Sequence, residues 1–238
     1  DGYTLLASPA GTLTINENLY KEMQFDPAKL VPVVMLASVP NAITARADFP
    51  ANSVKELIAY IQANPGKVTH GSQGNGSTSH LTGPMFETMV GGKMVHLPFK
   101  GEGPALNELL GGRVDLFFGN ISAVMKFRET KQVKLLGLAS TKRGFMAPEV
   151  PSAPESGLPD LVASAWFAIA APPGTPLAIA NKLNAAIVDI MKLPDVRERF
   201  AAQGAEVIGG TPAEMNAFLA TERARWKKVI DTANVKLD

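Results

Sequence analysis

Short apolar runs of strand length alternate with amphipathic helical runs along nearly the whole of this 238-residue chain. Strands joined through helices pair in parallel and lie buried on both faces, so the alternation restricts the fold to α/β with a mostly parallel sheet. Strand-like runs begin at Tyr3, Val31, Val68, Lys93, Val114, Val133 and Ser164. Ser53 with Glu56 and Thr211 with Glu214 have the spacing of capping boxes that open helices, the second with Pro212 at the first helical position. Helical spacing also follows around Ile15 to Met23, after Ser77, after Pro104 and after Pro176, with Pro194 opening another helix.

Two extended runs, Val31 to Ala45 and Ser164 to Ala171, flank a self-contained block of strand and helix alternation. We read them as crossings between two lobes. Residues 1–44 then form the first part of lobe 1, residues 45–163 form lobe 2, and residues 164–238 return to lobe 1.

The chemistry of the chain concentrates in Val68-Thr69-His70-Gly71-Ser72-Gln73-Gly74-Asn75-Gly76-Ser77-Thr78-Ser79-His80, a short strand entering a glycine and hydroxyl turn that opens a helix. The first N–H groups of a helix lack internal partners and carry the positive end of the helix dipole, so such a turn can hold a carboxylate or phosphate without Lys or Arg. Glycines at 71, 74 and 76 allow positive φ and close approach, while Ser72, Ser77 and Thr78 supply hydroxyls. A plain capped turn, with Asn75 as turn former, accounts for the same residues, and both readings can hold together. The turn lacks the Lys-Ser/Thr ending of a phosphate-binding P-loop and the spacing Gly-x-Gly-x-x-Gly of dinucleotide sites. Ser8, Pro9, Ala10, Gly11 and Thr12 form a second loop after the first strand, and Gly119-Asn120 a third after Val114 to Phe118. Ligands of open α/β sheets lie at such carboxyl ends.

With 23 basic and 22 acidic residues the chain offers no electrostatic case for nucleic acid or an anionic membrane surface. It has no cysteine, which removes thiol catalysis, disulfides and cysteine metal sites. The three histidines, His70, His80 and His96, are not clustered with carboxylates as a metal site needs. A hydrolase on Ser72 or Ser77 with a nearby imidazole is the enzyme alternative, but no Gly-x-Ser-x-Gly elbow occurs, and histidines that pack beside a loop explain the same residues. We expect no catalytic residue, no metal and no cofactor.

Asp1-Gly2-Tyr3-Thr4-Leu5-Leu6, Gly71-Ser72-Gln73-Gly74-Asn75-Gly76-Ser77, His96-Leu97-Pro98-Phe99-Lys100-Gly101, Leu109 to Phe118 and Ala171-Pro172-Pro173-Gly174-Thr175-Pro176, in this order, resemble the Bordetella-uptake receptors, the substrate-binding proteins of tripartite tricarboxylate transporters. The resemblance implies a two-lobed periplasmic binding protein of type II-like fold, with a ligand cleft between the lobes. It implies delivery of a small carboxylate to membrane permease subunits, an extracytoplasmic location and a monomer when complete. A lobe that presents its solute to a signalling partner is an alternative of the same kind. The family pattern begins before Asp-Gly-Tyr-Thr with a further strand and carboxylate-holding loop, so the first part of lobe 1 is expected to be incomplete here.

On this reading Ser72, Gly74, Asn75, Gly76, Ser77 and Thr78 capture the carboxylate from one lobe, Ser8, Ala10, Gly11 and Thr12 line the other, and Gly119 and Asn120 stand at the cleft edge. Where the family usually has Asp-Asn, this chain has Gly119-Asn120. The missing acid predicts a dicarboxylate or aromatic acid in preference to an amino acid.

Overall fold

The computed structural model describes residues 3–237, so the turn read at Asp1-Gly2 lies outside the described residues. The chain divides into two compact units, residues 1–39 with 166–238, and residues 40–165. The divisions expected at 44/45 and 163/164 lie a few residues from those of the compact units, at Val39/Pro40 and Ala165/Trp166.

In the first unit β1 (Leu6–Pro9) pairs antiparallel with β7 (Ser164–Ala171), and the early part of β2 (Val31–Arg46) pairs antiparallel with the short β8 (Glu206–Gly209). Three helices follow β7: α5 (Leu177–Met191), α6 (Pro194–Ala202) and α7 (Pro212–Ala233). The capping box expected at the start of α7 is present, with Thr211 and Glu214 each satisfying the other's main-chain N–H. Val33, Val34, Ala171 and Met191 form a small core against which Leu183, Ile187 and Val207 pack. The buried Glu222 carboxylate accepts from the indole N–H of both Trp166 and Trp226 and pairs with Arg225, so it is not buried unpaired.

The second unit holds the later part of β2, then α1 (Val54–Ala63), β3 (Val68–Ser72), α2 (Thr78–Val90), β4 (Met94–Pro98), α3 (Glu102–Leu110), β5 (Leu116–Asn120), α4 (Ile121–Glu129) and β6 (Val133–Leu138). Strand β3 pairs parallel with β4 and β5, while β2 pairs antiparallel with β5 and β6. The sheet is therefore mixed rather than mostly parallel in its pairings. The reason is topological: β3, β4, β5 and β6 run the same way, as strand–helix alternation requires, and the crossing strand β2 is inserted between β5 and β6 against that direction. Ser53 caps α1 as expected, but Glu56 reaches back to Asn52 N–H, so the box closes one residue early. Phe49, Phe86, Phe117, Phe118, Leu57, Ile61 and Leu109 are fully buried in this unit.

Candidate functional site

The carboxyl ends of β3 and β5 lie side by side, and their connections leave in opposite directions. From β3 the chain passes through α2 outward to β4; from β5 it passes through α4 toward β6, beyond β2. Right-handed crossovers in opposite directions lie on opposite faces of a sheet, so the two loops separate and a crevice opens between the strand ends. Six of the residues singled out in the sequence, Ser72 and Gly74 to Thr78, lie at the end of β3, and Asn120 lies at the end of β5.

The loop is built by its glycines and its cap. Gly74 has φ +121° and Gly76 φ +76°, backbone that side chains rarely tolerate, and a Cβ at Gly74 would come within 2.9 Å of the Phe99 carbonyl. Ser77 is the N-cap of α2: its hydroxyl accepts from His80 N–H at 3.1 Å and donates to Gly74 O at 2.6 Å. Within the loop Gly74 N–H reaches Ser72 Oγ, Gly76 N–H reaches His80 Nδ1 and Ser77 N–H reaches Gly74 O. Asn75, Thr78 and Ser79 are left with main-chain N–H groups that no partner among the described residues takes. Asn75 is exposed at the tip, whereas Thr78 is 5% and Ser79 0% exposed, and Ser79 Oγ has no partner. A buried hydroxyl without a partner costs about 1–3 kcal/mol, which an anion at the helix N-terminus would offset.

Three imidazoles support the loop from below. The His80 and His96 rings stack at 4.2 Å and the His70 and His96 rings at 4.8 Å, with Phe118 edge-on to His70. Burial lowers the pKa of His80 to about 4. His96 also falls to about 4, through burial and then the neighbouring His80, and His70 is held well below 6.5 by burial, His96 and His80. All three are neutral at pH 7, which lets His80 Nδ1 accept from Gly76 N–H. Ser72 Oγ and His96 Nε2 are 2.7 Å apart, the spacing of a serine–histidine pair. Ser72, however, is fully buried, and a ring with a pKa of about 4 is a feeble base at neutral pH. No carboxylate orients that ring among the described residues, so the pair supports the loop.

Gly119, expected at the cleft edge, leaves no room for a side chain there. It is buried within β5, and a Cβ there would fall 1.9 Å from Cε1 of Phe117, so the Phe117 ring requires glycine at this position. Gly119 and Asn120 are the last residues of the strand rather than a loop beyond it, and Asn120 holds the N-cap position of α4 with no capping bond from its side chain.

The run from Ser8 to Thr12, in the other unit, also differs from expectation. Ser8 and Pro9 complete β1, and Ala10 has helical φ/ψ of −50° and −41°, so the chain coils at once into a π-helical turn, Gly11–Ile15. Ser8 is 3% exposed and donates to Pro9 O, and Ala10 is 1% exposed; Gly11 and Thr12 are half-buried. The helix expected around Ile15 to Met23 is only this turn and a 3₁₀ turn, Asn16–Asn18.

Sequence reasoning missed two site residues. Asn41, on β2 opposite Asn120, is 1% exposed and donates its Nδ2 to Thr82 Oγ1 on α2 at 3.0 Å. Glu102 opens α3, and its carboxylate accepts from Gln73 Nε2 at 2.5 Å and from Asn120 N–H. Burial raises the Glu102 pKa and these two hydrogen bonds oppose the rise. An acidic group therefore stands beside the loop despite Gly119, so the glycine by itself no longer favours a plain acid. Glu102 was findable: it follows the Pro98 to Gly101 connection at the carboxyl end of β4, next to β3.

The family model for the tripartite tricarboxylate transporter family receptor matches residues 1–235. Among curated proteins, the chain is 36% identical to Protein BugT of Bordetella pertussis, covering 100% of this chain and 73% of that protein. It is 31% identical to the UPF0065 protein in the tcbD-tcbE intergenic region of Pseudomonas sp. strain P51, covering 97% and 69%. Among solved structures it is similar to R. palustris Rpa4515 with adipate, at TM-score 0.92 and 33% identity over 99% of this chain and 79% of that one. Periplasmic binding protein BugD gives 0.88 and 32%, over 99% and 80%. MatC from Rhodopseudomonas palustris with bound malate gives 0.87 and 31%, over 97% and 80%. No helix among the described residues is long and apolar enough to cross a membrane.

Proposed function

Because the chain belongs to the tripartite tricarboxylate transporter receptor family, whose solved relatives are periplasmic binding proteins, we propose that it acts outside the cytoplasm as a receptor for a small carboxylate, which it delivers to membrane permease subunits. The observation that carries the reading is the N-terminus of α2. It combines two glycines at positive φ, unpaired N–H groups at Thr78 and Ser79 and the partnerless Ser79 hydroxyl, all at the reversal point of the sheet. Ser72, Gly74, Asn75, Gly76, Ser77 and Thr78 form the carboxylate loop, with Asn120 at its edge. In the other unit, Gly11 and Thr12 retain the surface that Ser8 and Ala10 lack. The dicarboxylates in the titles of two solved relatives are the first candidates.

A thermal-shift screen with acetate, succinate, adipate, malate, aspartate and benzoate tests this. A ligand at 100 times its dissociation constant adds about 2.7 kcal/mol to stability, which reads as a melting shift of several degrees. Recovery of the bound acid unchanged separates a receptor from a hydrolase. A folded protein that none of these acids stabilises would overturn the reading.

A further inference from the structure

The carboxylate loop is rich in donors, and the elements beside it are rich in acceptors. Glu102 is half-buried, and no cation pairs with it among the described residues; its interactions are with Gln73 and the Asn120 main chain. An ionised carboxylate has about four lone-pair positions, so capacity remains. Gln73 immediately precedes Gly74 in the carboxylate loop and Asn120 ends β5 at the N-cap position of α4, which places Glu102 between the two strand ends that frame the proposed site. Packing of the connections holds it there: Gly101 N–H donates to Gln73 O at 3.1 Å and Phe99 N–H to Ser72 O at 3.1 Å.

Two amide oxygens add to this acceptor character. Thr82 gives its hydroxyl proton to Thr78 O at 2.7 Å, so it receives the Asn41 bond as an acceptor. Asn41 must therefore turn its nitrogen toward Thr82, and its buried Oδ1 is left without a partner, as is Asn120 Oδ1. The two asparagines are register partners across β2 and β5, so their side chains leave the same face of the sheet.

The geometry points to Glu102 as a specificity-determining residue: with the Asn41 and Asn120 amide oxygens it forms an acceptor pole beside the donor pole of α2, and so selects a carboxylate bearing a hydroxyl or ammonium donor over a plain acid. This rests on the receptor reading and narrows its ligand. A second carboxylate placed against Glu102 meets like charge, whereas a hydroxyl or ammonium meets the spare lone pairs of Glu102 and the two amide oxygens that lack partners.

Isothermal titration with succinate, L-malate and L-aspartate, on the protein and on Glu102→Gln, tests the assignment. The substituted acids differ from succinate by one donor group. The protein is expected to bind malate or aspartate at least about tenfold more tightly than succinate. Glu102→Gln is expected to cut that margin to about threefold or less, with succinate bound as well as before or better. The margin in the unaltered protein is a test independent of how the variant folds, and Glu102→Asp, which draws the charge back by one methylene, should give an intermediate margin. A margin unchanged in Glu102→Gln, or tighter binding of succinate by the unaltered protein, overturns the role of Glu102 and leaves the receptor reading standing. Failure of all three acids to bind the folded protein overturns the role of Glu102, and the receptor reading falls with it only if acetate, adipate and benzoate fail to bind as well.

Discussion

The run from Ser8 to Thr12 and the run from Gln73 to Thr78 are alike in composition, small residues and hydroxyls after an apolar strand, yet they fold into opposite things. After β3 the chain takes positive φ at Gly74 and Gly76, then a β-region cap at Ser77, and the helix opens with N–H groups unmet. After β1 it takes helical φ/ψ at Ala10, and Thr14 Oγ1 bonds back to Ala10 O at 3.0 Å, so the turn closes on itself. Composition alone does not make an anion site. What makes one is backbone that cannot continue into a helix until a cap has turned it.

The largest effect separating the two units should come from acid. All three histidines lie in the second unit, and both tryptophans, Trp166 and Trp226, lie in the first. A histidine whose folded pKa lies below its unfolded value of about 6.5 leaves the unfolded chain binding more protons, so its contribution is complete above pH 6.5 and is lost as pH falls toward 4. For a nearly buried ring such as His80, whose pKa falls to about 4, the loss is worth roughly 3 kcal/mol, and the stacked neighbours add to it. Hydrogen exchange, corrected for intrinsic rates, should therefore show residues 70–81 losing protection between pH 6.5 and 4 while tryptophan fluorescence stays native. Equal loss in both units, or none around His80, would show that the ring stack is not what holds the loop.

The next effect tests the backbone itself. Gly76→Val puts a β-branched residue at φ +76°, which costs about 1–3 kcal/mol and disrupts the loop that presents Thr78 and Ser79; carboxylate binding should fall at least about 100-fold. The counterpart, Gly11→Ala, falls where φ is not positive, and should leave stability within about 1 kcal/mol and weaken binding by no more than about tenfold, the share of one added methyl on the first unit's surface. Titration and thermal melts of the two variants measure both. Similar losses from the two would mean that the runs are equivalent after all.

Much of this was legible. Periodic apolar runs located most strands, and the capping residues Ser53, Ser77 and Thr211 marked three helix starts, because each of these signals is local. Helix α4 escaped, since it follows Asn120 without a break and buries only Ile121 and Val124, too few positions to show a period. Strand β8, with no fully buried residue, escaped for the same reason. The site was half legible. Loop residues 72–78 announce themselves in sequence, but Glu102 acquires its role from Gln73, 29 residues away, and the ring stack joins positions 70, 80 and 96 through tertiary packing. Gly119 shows the opposite error: it read as a missing acid, while its neighbours show a glycine required by the Phe117 ring.

The smallest effect compares two serines. Ser77 Oγ makes two hydrogen bonds that define the loop, one accepted from His80 N–H and one donated to Gly74 O. Ser77→Ala removes an N-cap and frees a nearly buried N–H, so it should cost about 1 kcal/mol of stability and weaken carboxylate binding by no more than about tenfold, since Thr78 and Ser79 keep their own N–H groups. Ser8 Oγ makes one bond, to the carbonyl of its own neighbour Pro9. That bond caps nothing, and alanine fills nearly the same volume, so Ser8→Ala should cost about 0.5–1 kcal/mol with binding unchanged. Urea melts resolve differences of this size when the two variants are run together, and titration separates them further. If Ser8→Ala weakened carboxylate binding as much as Ser77→Ala, the first unit would hold a direct ligand contact at Ser8, and the contrast between the open and the closed turn would have to be abandoned.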